Sequence, residues 1–599
     1  MSSESDFKLT NIIDSTIDDI TSEIILPVMT GGAESTYQNF PSNSSSTSQI
    51  LFNIQIPNMS TAMSRKVFIQ STVTLKLALS QIPIVSTNNT AKPVFWYGET
   101  DALQAFPINA LCTNTQCIIN NAQSSVVTAT CIAPLLKLYK PEELEQYQAM
   151  CPSLPDAFVR DYKDARGTNM NVLSGYKNSS FNNKYLSRGC FPVTIIGYKT
   201  GAPDVVITNG QVLAVFTAVA GGTYTYIPAY DYITITFTST EPLLFLSPFI
   251  SGYSNSNAAG LVGINNMNIV CNIGNCNKVF STMSSAKTVI SEITLTDLKE
   301  SKILLNFISL PASIYDKVAA KNIVNYQQYQ AYDYNTGRAV AIGDHQITFS
   351  NIQLNQIPSK MIIICRKPLA NQNWSDTNSF LPIKNITMNF NNKSGILASA
   401  NQQQLFNMSK RNGLQGNFYE FSGRACAGVS ESAITGNTGV TATVFTSGAV
   451  LVIDPALDLG MAASYSNMSG GQFNVQFNVT CEATEAMPNG IEVVLICVNS
   501  GIFITKTGTS NIETALLSQE MVLETRSKPA VMDSLSYNKI VGGACENIAS
   551  VHKHLKHLFR PQQLSTPSAN TESGSAMSAG AACGGSTVSS SRRLHKYYK

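Results

Sequence analysis

The residue types that most often carry chemistry are thinly spread in this chain. Of five histidines only His345 lies outside the C-terminal tail. That nearly excludes a histidine-based catalytic or metal site in the body of the protein and leaves carboxylate or thiol chemistry to test. Cys112 and Cys117, like Cys271 and Cys276, share a Cys-x4-Cys spacing that a metal could bridge as a four-thiolate site. Zinc sites more often use a tighter Cys-x2-Cys knuckle, and both pairs stand in Asn-rich strand or turn context, so buried or surface thiols are the preferred reading. A glycoside hydrolase needs paired carboxylates on facing strands; the candidate acids Asp454 and Asp458 sit beside turns, with no assignable partner. No catalytic residue, cofactor or metal is expected.

Two tyrosine stripes, Tyr224, Tyr226, Tyr230, Tyr232 and Tyr326, Tyr329, Tyr332, Tyr334, could form a sugar platform. Such residues more often pack in cores and interfaces with the hydroxyl satisfied at the rim. Asn-x-Ser/Thr triplets, as at Asn58 and Asn385, are expected by chance in an Asn-rich chain. The tail is the one place where nucleic-acid contact has a physical basis. Between residues 544 and 599 it carries Lys553, Lys556, Arg560, Arg592, Arg593, Lys596 and Lys599 against Glu546 and Glu572, a net of +5 in a chain whose total is +2. Cations on a flexible segment bind phosphate by counterion release, without sequence preference; a solubilising tail with no ligand is the alternative.

The elements that must position these residues read as β-structure. Charged residues make up only 13% of the 599 positions while hydrophobic content is 44%, so Asn, Ser, Thr and Gln hold places that Lys and Glu usually take. A polar but weakly charged surface suits contact with identical copies, because little ion desolvation opposes association. The stretch 346–412 organises the second half of the chain. Alternation at Ile347 and Phe349 leads through Ile352 and Leu354 to the unbroken apolar run Met361 to Cys365, and alternation returns at Ile386, Met388 and Phe390. Period-two alternation predicts a strand with one buried face, and a short continuous run predicts a strand buried on both. In the first half, Val67, Ile69, Val73, Leu75, Leu77 and Leu79 alternate with polar residues. Phe473, Val475, Phe477, Val479 and Cys481 give the cleanest alternation of all. Residues 80–220 loosen into loops around one predicted helix beginning at Pro141-Glu-Glu-Leu, with Pro and acids at its first turn. Strands are expected to stop near Lys506. Residues 1–30, with six acids and one Lys, form an N-terminal arm that is helical or extended; residues from Gln562 onward, rich in Ser, Gly, Ala and Thr, cannot bury enough apolar surface to order themselves. Thirteen cysteines without regular spacing read as mostly reduced. No run of about eighteen apolar residues suggests a membrane span, and the acidic N-terminus lacks a secretory pattern, so a soluble protein made in the cytosol is expected.

The order of these phrases resembles the double jelly-roll major capsid proteins of virophages and polinton-like viruses over roughly residues 30–520. The carriers are GGAESTYQNFPSNSSSTSQILFNIQIP, DALQAFPINALCTNTQCIINN as a strand pair with its turn, and PSLPDAFVRDYKDARGTNMNVLSGY as a loop insertion. They continue with ITFSNIQLNQIPSKMIIICRKP, ITMNFNNKSGILASANQQQLFNMSKRNG and GIEVVLICVNSGIFIT. The resemblance implies an all-β protein of two consecutive eight-stranded jelly-roll β-sandwiches: an arm at 1–30, a first roll at 31–315 with long loop insertions, a second at 316–520, and a flexible basic extension at 521–599. It also implies a homotrimeric, pseudo-hexagonal capsomer that builds an icosahedral shell around double-stranded DNA. Penton and minor capsid proteins would be partners, the tail would meet packaged DNA, and the virion, assembled in the host cytoplasm, would be its location.

Viruses of this kind often encode an adenovirus-type cysteine protease that cuts after two glycines preceded, two positions earlier, by Met, Ile or Leu. Ile540-Val-Gly-Gly-Ala fits, with Gly543 and Ala544 flanking the preferred cut. Met29-Thr-Gly-Gly-Ala and Met468-Ser-Gly-Gly-Gln also fit, but both abut strands that would protect them. The leading reading is thus a structural, non-enzymatic self-assembly protein. A secreted or surface glycan-binding β-sandwich adhesin is the alternative.

Overall fold

The computed structural model describes residues 35–56, 61–84, 93–98, 101–155, 191–219, 223–250, 260–282, 289–309, 322–426, 443–462 and 464–527. The arm at 1–30, the tail cations and Gly543-Ala544 lie outside them.

Eight strands build the first sandwich: β1 (Ser35–Pro41), β2 (Gln49–Gln55), β3 (Phe68–Leu79), β4 (Cys112–Ile119), β5 (Ala122–Val126), β6 (Tyr232–Pro242), β7 (Asn266–Ile273) and β8 (Ile290–Ser309). They form two facing antiparallel sheets of order β1-β8-β3-β6 and β2-β7-β4-β5, widened by short edge strands. Eight more build the second: β9 (Asn322–Asn335), β10 (Gly343–Gln356), β11 (Lys360–Arg366), β12 (Ile383–Phe390), β13 (Lys393–Ile396), β14 (Leu451–Ile453), β15 (Gly470–Ala483) and β16 (Glu492–Lys506). Their sheets run β9-β16-β11-β14 and β10-β15-β12-β13. The second order is the first with eight added to every strand number, so one jelly-roll topology is used twice.

Alternation sets which face is buried. In β3, Ile69, Ser71, Val73, Leu75 and Leu77 point into the core; the one polar member, Ser71, is satisfied by the Ser301 hydroxyl at 2.9 Å. In β15, Phe473, Val475, Phe477, Val479 and Cys481 are buried, and Phe477 stacks on Phe349 of β10 with centroids 4.8 Å apart. Met361 to Cys365 of β11 are all fully buried. One face of that strand meets its own sandwich, and the other is covered by the first roll.

Among the described residues of the first half three short helices stand where the sequence suggests one: α1 (Pro107–Leu111), α2 (Thr128–Leu136) and α3 (Pro141–Glu145). The segment 101–121 is therefore a short strand, α1 and β4 rather than a simple strand pair. In α2 the good formers Ala129, Ala133, Leu135 and Leu136 are mixed with three β-branched residues, Cys131 and an internal Pro134 that disfavour a helix; burial of Ala129, Cys131, Ile132, Leu135 and Leu136 offsets that cost. Helix α3 stops after Glu145, whereas the sequence pattern reads as a helix from Pro141 to Met150. Beyond it Tyr147 turns inward to meet Phe68 and Phe106 edge-on, at 6.2 and 6.0 Å. Strands also continue past Lys506: Thr509–Thr514 folds back on β16, because Gly508 at φ +73° permits a tight turn. Helix Gln519–Ser527 follows. In the second half α4 (Gln402–Arg411) opens with a capping box in which Asn401 and Gln404 satisfy each other's N–H groups at 2.9 Å.

Candidate functional site

Chemistry in this protein lies in how faces meet, beginning within the chain, where residues to 530 form one compact unit. Helix α2, which follows β5 in the first roll, lies on the outer face of the β9-β16-β11 sheet of the second, and cavities between them are lined by Leu135 with Tyr329 and Val498, and by Ile132 with Arg366. Phe245 wedges edge-on between Tyr139 and Tyr329 at 5.9 and 5.6 Å. Polar groups fix the register. Buried Arg65 donates from Nε to the Pro248 carbonyl at 2.7 Å and from Nη2 to that of Asn325 in β9 at 3.1 Å. Burial pushes its guanidinium down to about 10. Tyr326 donates to Ser124 of β5 at 3.3 Å, and Thr282 N–H donates to the Trp374 carbonyl at 2.9 Å.

Two faces matching this interface in position stay open. The outer face of β3 and β6 is a hydroxyl ladder, with Thr72 bonded to Thr238 at 2.8 Å, Thr74 to Thr236 at 3.1 Å and Gln70 to Thr240 at 2.8 Å. Lys76 lies over the Tyr232 ring at 4.4 Å, and that ring stacks on Tyr198 at 4.8 Å. Helix α4, which follows β13 as α2 follows β5, turns Gln403, Gln404, Asn407, Lys410 and Arg411 outward.

The predicted residues fall as follows. His345 is partly exposed in β10, with Nε2 2.8 Å from the Ala341 carbonyl. The Cys112 thiol is held well above its ordinary range by its hydrogen bond to Cys271 and by burial; burial first and the neighbouring Cys271 second raise Cys117, and burial raises Cys276. Raised values disfavour the thiolates a metal requires. Among the described residues no three His, Cys, Asp or Glu groups converge to hold an ion, and nine of the cysteines there are free thiols. Asp454 caps helix Pro455–Asp458 through the Ala456 N–H at 3.1 Å. Asp458 pairs with Arg411 and accepts from Asn412 at 2.7 Å. These acids hold a turn. Tyr226, Tyr230 and Tyr326 are buried. Ser469 of the Met468-Ser-Gly-Gly site is buried, and the following strand β15 is paired from Gly470. Among the described residues no helix is long and apolar enough to cross a membrane.

Sequence reasoning missed three groups. Arg65 and α2 carry no local signal. Glu241 is fully enclosed at the end of β6, where it accepts from the N–H groups of Ile108 and Asn109 at 2.7 and 2.9 Å, from Asn109 Nδ2 at 2.8 Å and from Ser239 Oγ at 2.7 Å. Burial raises its carboxyl despite these four donors. A lone acid after a period-two run was the available hint.

Known proteins show the family to which this doubled jelly roll belongs. A family model described as the Sputnik virophage major capsid protein 1st domain matches residues 5–309, just over half the chain. The chain belongs to the virophage major capsid protein family. A second family model, the major capsid protein V20 C-terminal domain, matches residues 326–501. The chain is 24% identical over 528 residues to a Sputnik virophage protein described as capsid protein V20, covering 86% of this chain and 80% of that one. Its fold is similar to a chain in the cryo-EM structure of the Sputnik virophage (TM-score 0.69, 21% identity, 86% of this chain and 95% of that one). It is also similar to the mavirus major capsid protein (TM-score 0.59, 16% identity, 84% and 94%). This virophage major capsid protein is therefore a double jelly-roll structural protein of the virion, and the adhesin reading is left without support.

Proposed function

We propose that this major capsid protein assembles head-to-tail as a homotrimeric, pseudo-hexagonal capsomer, and that capsomers tile an icosahedral shell around double-stranded DNA. The observation that carries this reading is the contact of α2 with the second roll's sheet. The same two elements recur in the other roll of each pair as α4 and the outer face of β3 and β6. Inside the chain an apolar helix meets an apolar sheet; between chains, an amide-rich helix would meet a hydroxyl ladder. A heterologous contact repeated in this way closes into a ring when its rotation permits, and six rolls would make the pseudo-hexagon. The individually weak, polar contacts gain strength because many act together.

Sedimentation of the purified protein tests this. Three-chain particles are expected for the wild type. Thr72→Arg combined with Thr238→Arg should leave a folded monomer, and a double variant that still forms trimers would place the interface elsewhere. Within the same proposal the rolls divide near residue 316, penton and minor capsid proteins complete the shell, the basic tail faces DNA, and a viral cysteine protease cuts between Gly543 and Ala544. Assembly takes place in the host cytoplasm.

A further inference from the structure

A cavity of about 170 Å³, partly open to solvent, lies where α2 meets the sheet of the second roll, and both rolls build it. Leu135 of α2, Phe245 and Val498 of β16 form its buried wall. Leu138, Tyr139 and Tyr329, half-buried, complete the apolar side. Its polar lining is Glu143 of α3, Gln327 of β9, and Ser359 and Lys360 at the start of β11.

Phe245 stands edge-on to the rings of both Tyr139 and Tyr329 and holds φ at +59°. A bulky side chain seldom adopts that left-handed backbone. Such strain persists only where the surrounding packing over-determines it, and it gathers at ligand clamps. Here the strained residue is the one that carries an aromatic wall of the cavity into the seam between the rolls.

Size and polar groups together select the ligand. An apolar cavity of roughly 150 Å³ holds benzene, so the volume suits one six-membered ring. Glu143 and Lys360 place one charge of each sign on the wall, so a carboxylate drawn to Lys360 meets Glu143 and an ammonium drawn to Glu143 meets Lys360. Both are half-exposed and already solvated, so even a zwitterion exchanges water for protein at little gain. The uncharged groups are more selective. The Tyr329 hydroxyl donates to Gln327 Oε1 at 3.0 Å, which leaves the Gln327 amide N–H groups to donate. The Ser359 hydroxyl donates to the Val498 carbonyl at 2.8 Å, which leaves its oxygen to accept. A hydroxyl group, donor and acceptor at once, matches that pair. We propose that this cavity binds one uncharged monocyclic aromatic alcohol, its ring against Leu135, Phe245 and Val498 and its hydroxyl toward Gln327 and Ser359, and that the ligand pins the two rolls together.

The test uses full-length purified protein. In crystals soaked with 4-bromophenol, an anomalous bromine peak is expected beside Leu135, Phe245 and Val498. The melting midpoint should rise by several degrees with p-cresol and saturate, because a ligand that binds only the docked rolls stabilises them by mass action. Benzoate, benzylamine and free tyrosine at equal concentration should leave it unchanged. Val498→Phe, which puts a ring in the same space, should abolish the peak and the rise. Should this variant fail to fold, Leu138→Trp serves in its place. The proposal is overturned by an empty cavity, by another segment of the chain filling it, or by a cavity-filling variant that folds and still responds. A peak without a saturable rise, meaning binding at crystal concentration only, overturns it too, as does an equal rise with any of the three charged compounds.

Discussion

Glu241 accepts from four donors and has a raised carboxyl, the profile of a general acid, yet all four of those donors are structural. Its partners are the N–H groups that open α1, together with Asn109 and Ser239, so the carboxyl anchors a loop to the end of β6. Burial is the largest influence on it and raises its proton affinity above the ordinary glutamate value of 4.5. As pH rises past that value, the unfolded chain releases this proton before the folded one, so the folded state binds more protons and loses stability with rising pH. The thermal midpoint of the wild type relative to Glu241→Gln is therefore greatest near pH 4 and declines toward pH 8. A difference that stays level across that range would mean that the four donors fully offset burial. Perturbed acids mark functional sites only as a tendency, and here the perturbation belongs to architecture.

At the scale of elements, β11 and α2 depend on each other. A strand buried on both faces needs a cover for its outer side, and a short apolar helix with a proline inside it needs a surface to hold it. Each supplies the other across the roll boundary. Ile364→Asp, on the face of β11 that also carries Arg366 towards α2, places a charge with no partner at this contact, at a cost above about 4 kcal/mol. It should abolish soluble capsomer rather than soften one sandwich. Ile364→Val removes one methyl group, costs about 0.5–1.5 kcal/mol, and should assemble. Soluble expression followed by sedimentation distinguishes the two; normal capsomers from the Asp variant would contradict the double burial of β11. Gly448 is a second fixed point in this half: it adopts φ +83° against the Phe380 carbonyl, where an added Cβ would collide.

The whole molecule pairs a nearly neutral body with a basic end. Seven cations beyond residue 543 predict a log–log slope of DNA affinity against salt near −6, from about −0.9 per neutralised phosphate. Full-length protein and a chain ending at Gly543 should therefore differ in salt-sensitive DNA binding and hardly at all in trimer formation. The mass of subunits from purified particles checks the proposed cut independently: loss of residues 544–599 is expected, and a subunit ending at Lys599 removes it.

What the residues determine alone is what depends on neighbours in sequence. Period-two alternation fixed the inward faces of β3 and β15, and the run Met361 to Cys365 fixed a doubly buried strand, because side-chain direction follows strand geometry. Scarce histidine and scattered acids argued against a chemical centre. Tertiary structure decided what depends on partners far along the chain. Helix α2 is helical because the second roll covers it, and Thr509–Thr514 is a strand because β16 offers an edge. Arg65 and Arg366 are buried because a second sandwich closes over them. Sequence periodicity could report that β11 has two covered faces, but not that a helix more than two hundred residues earlier provides one cover, since burial is a property of whatever surface arrives.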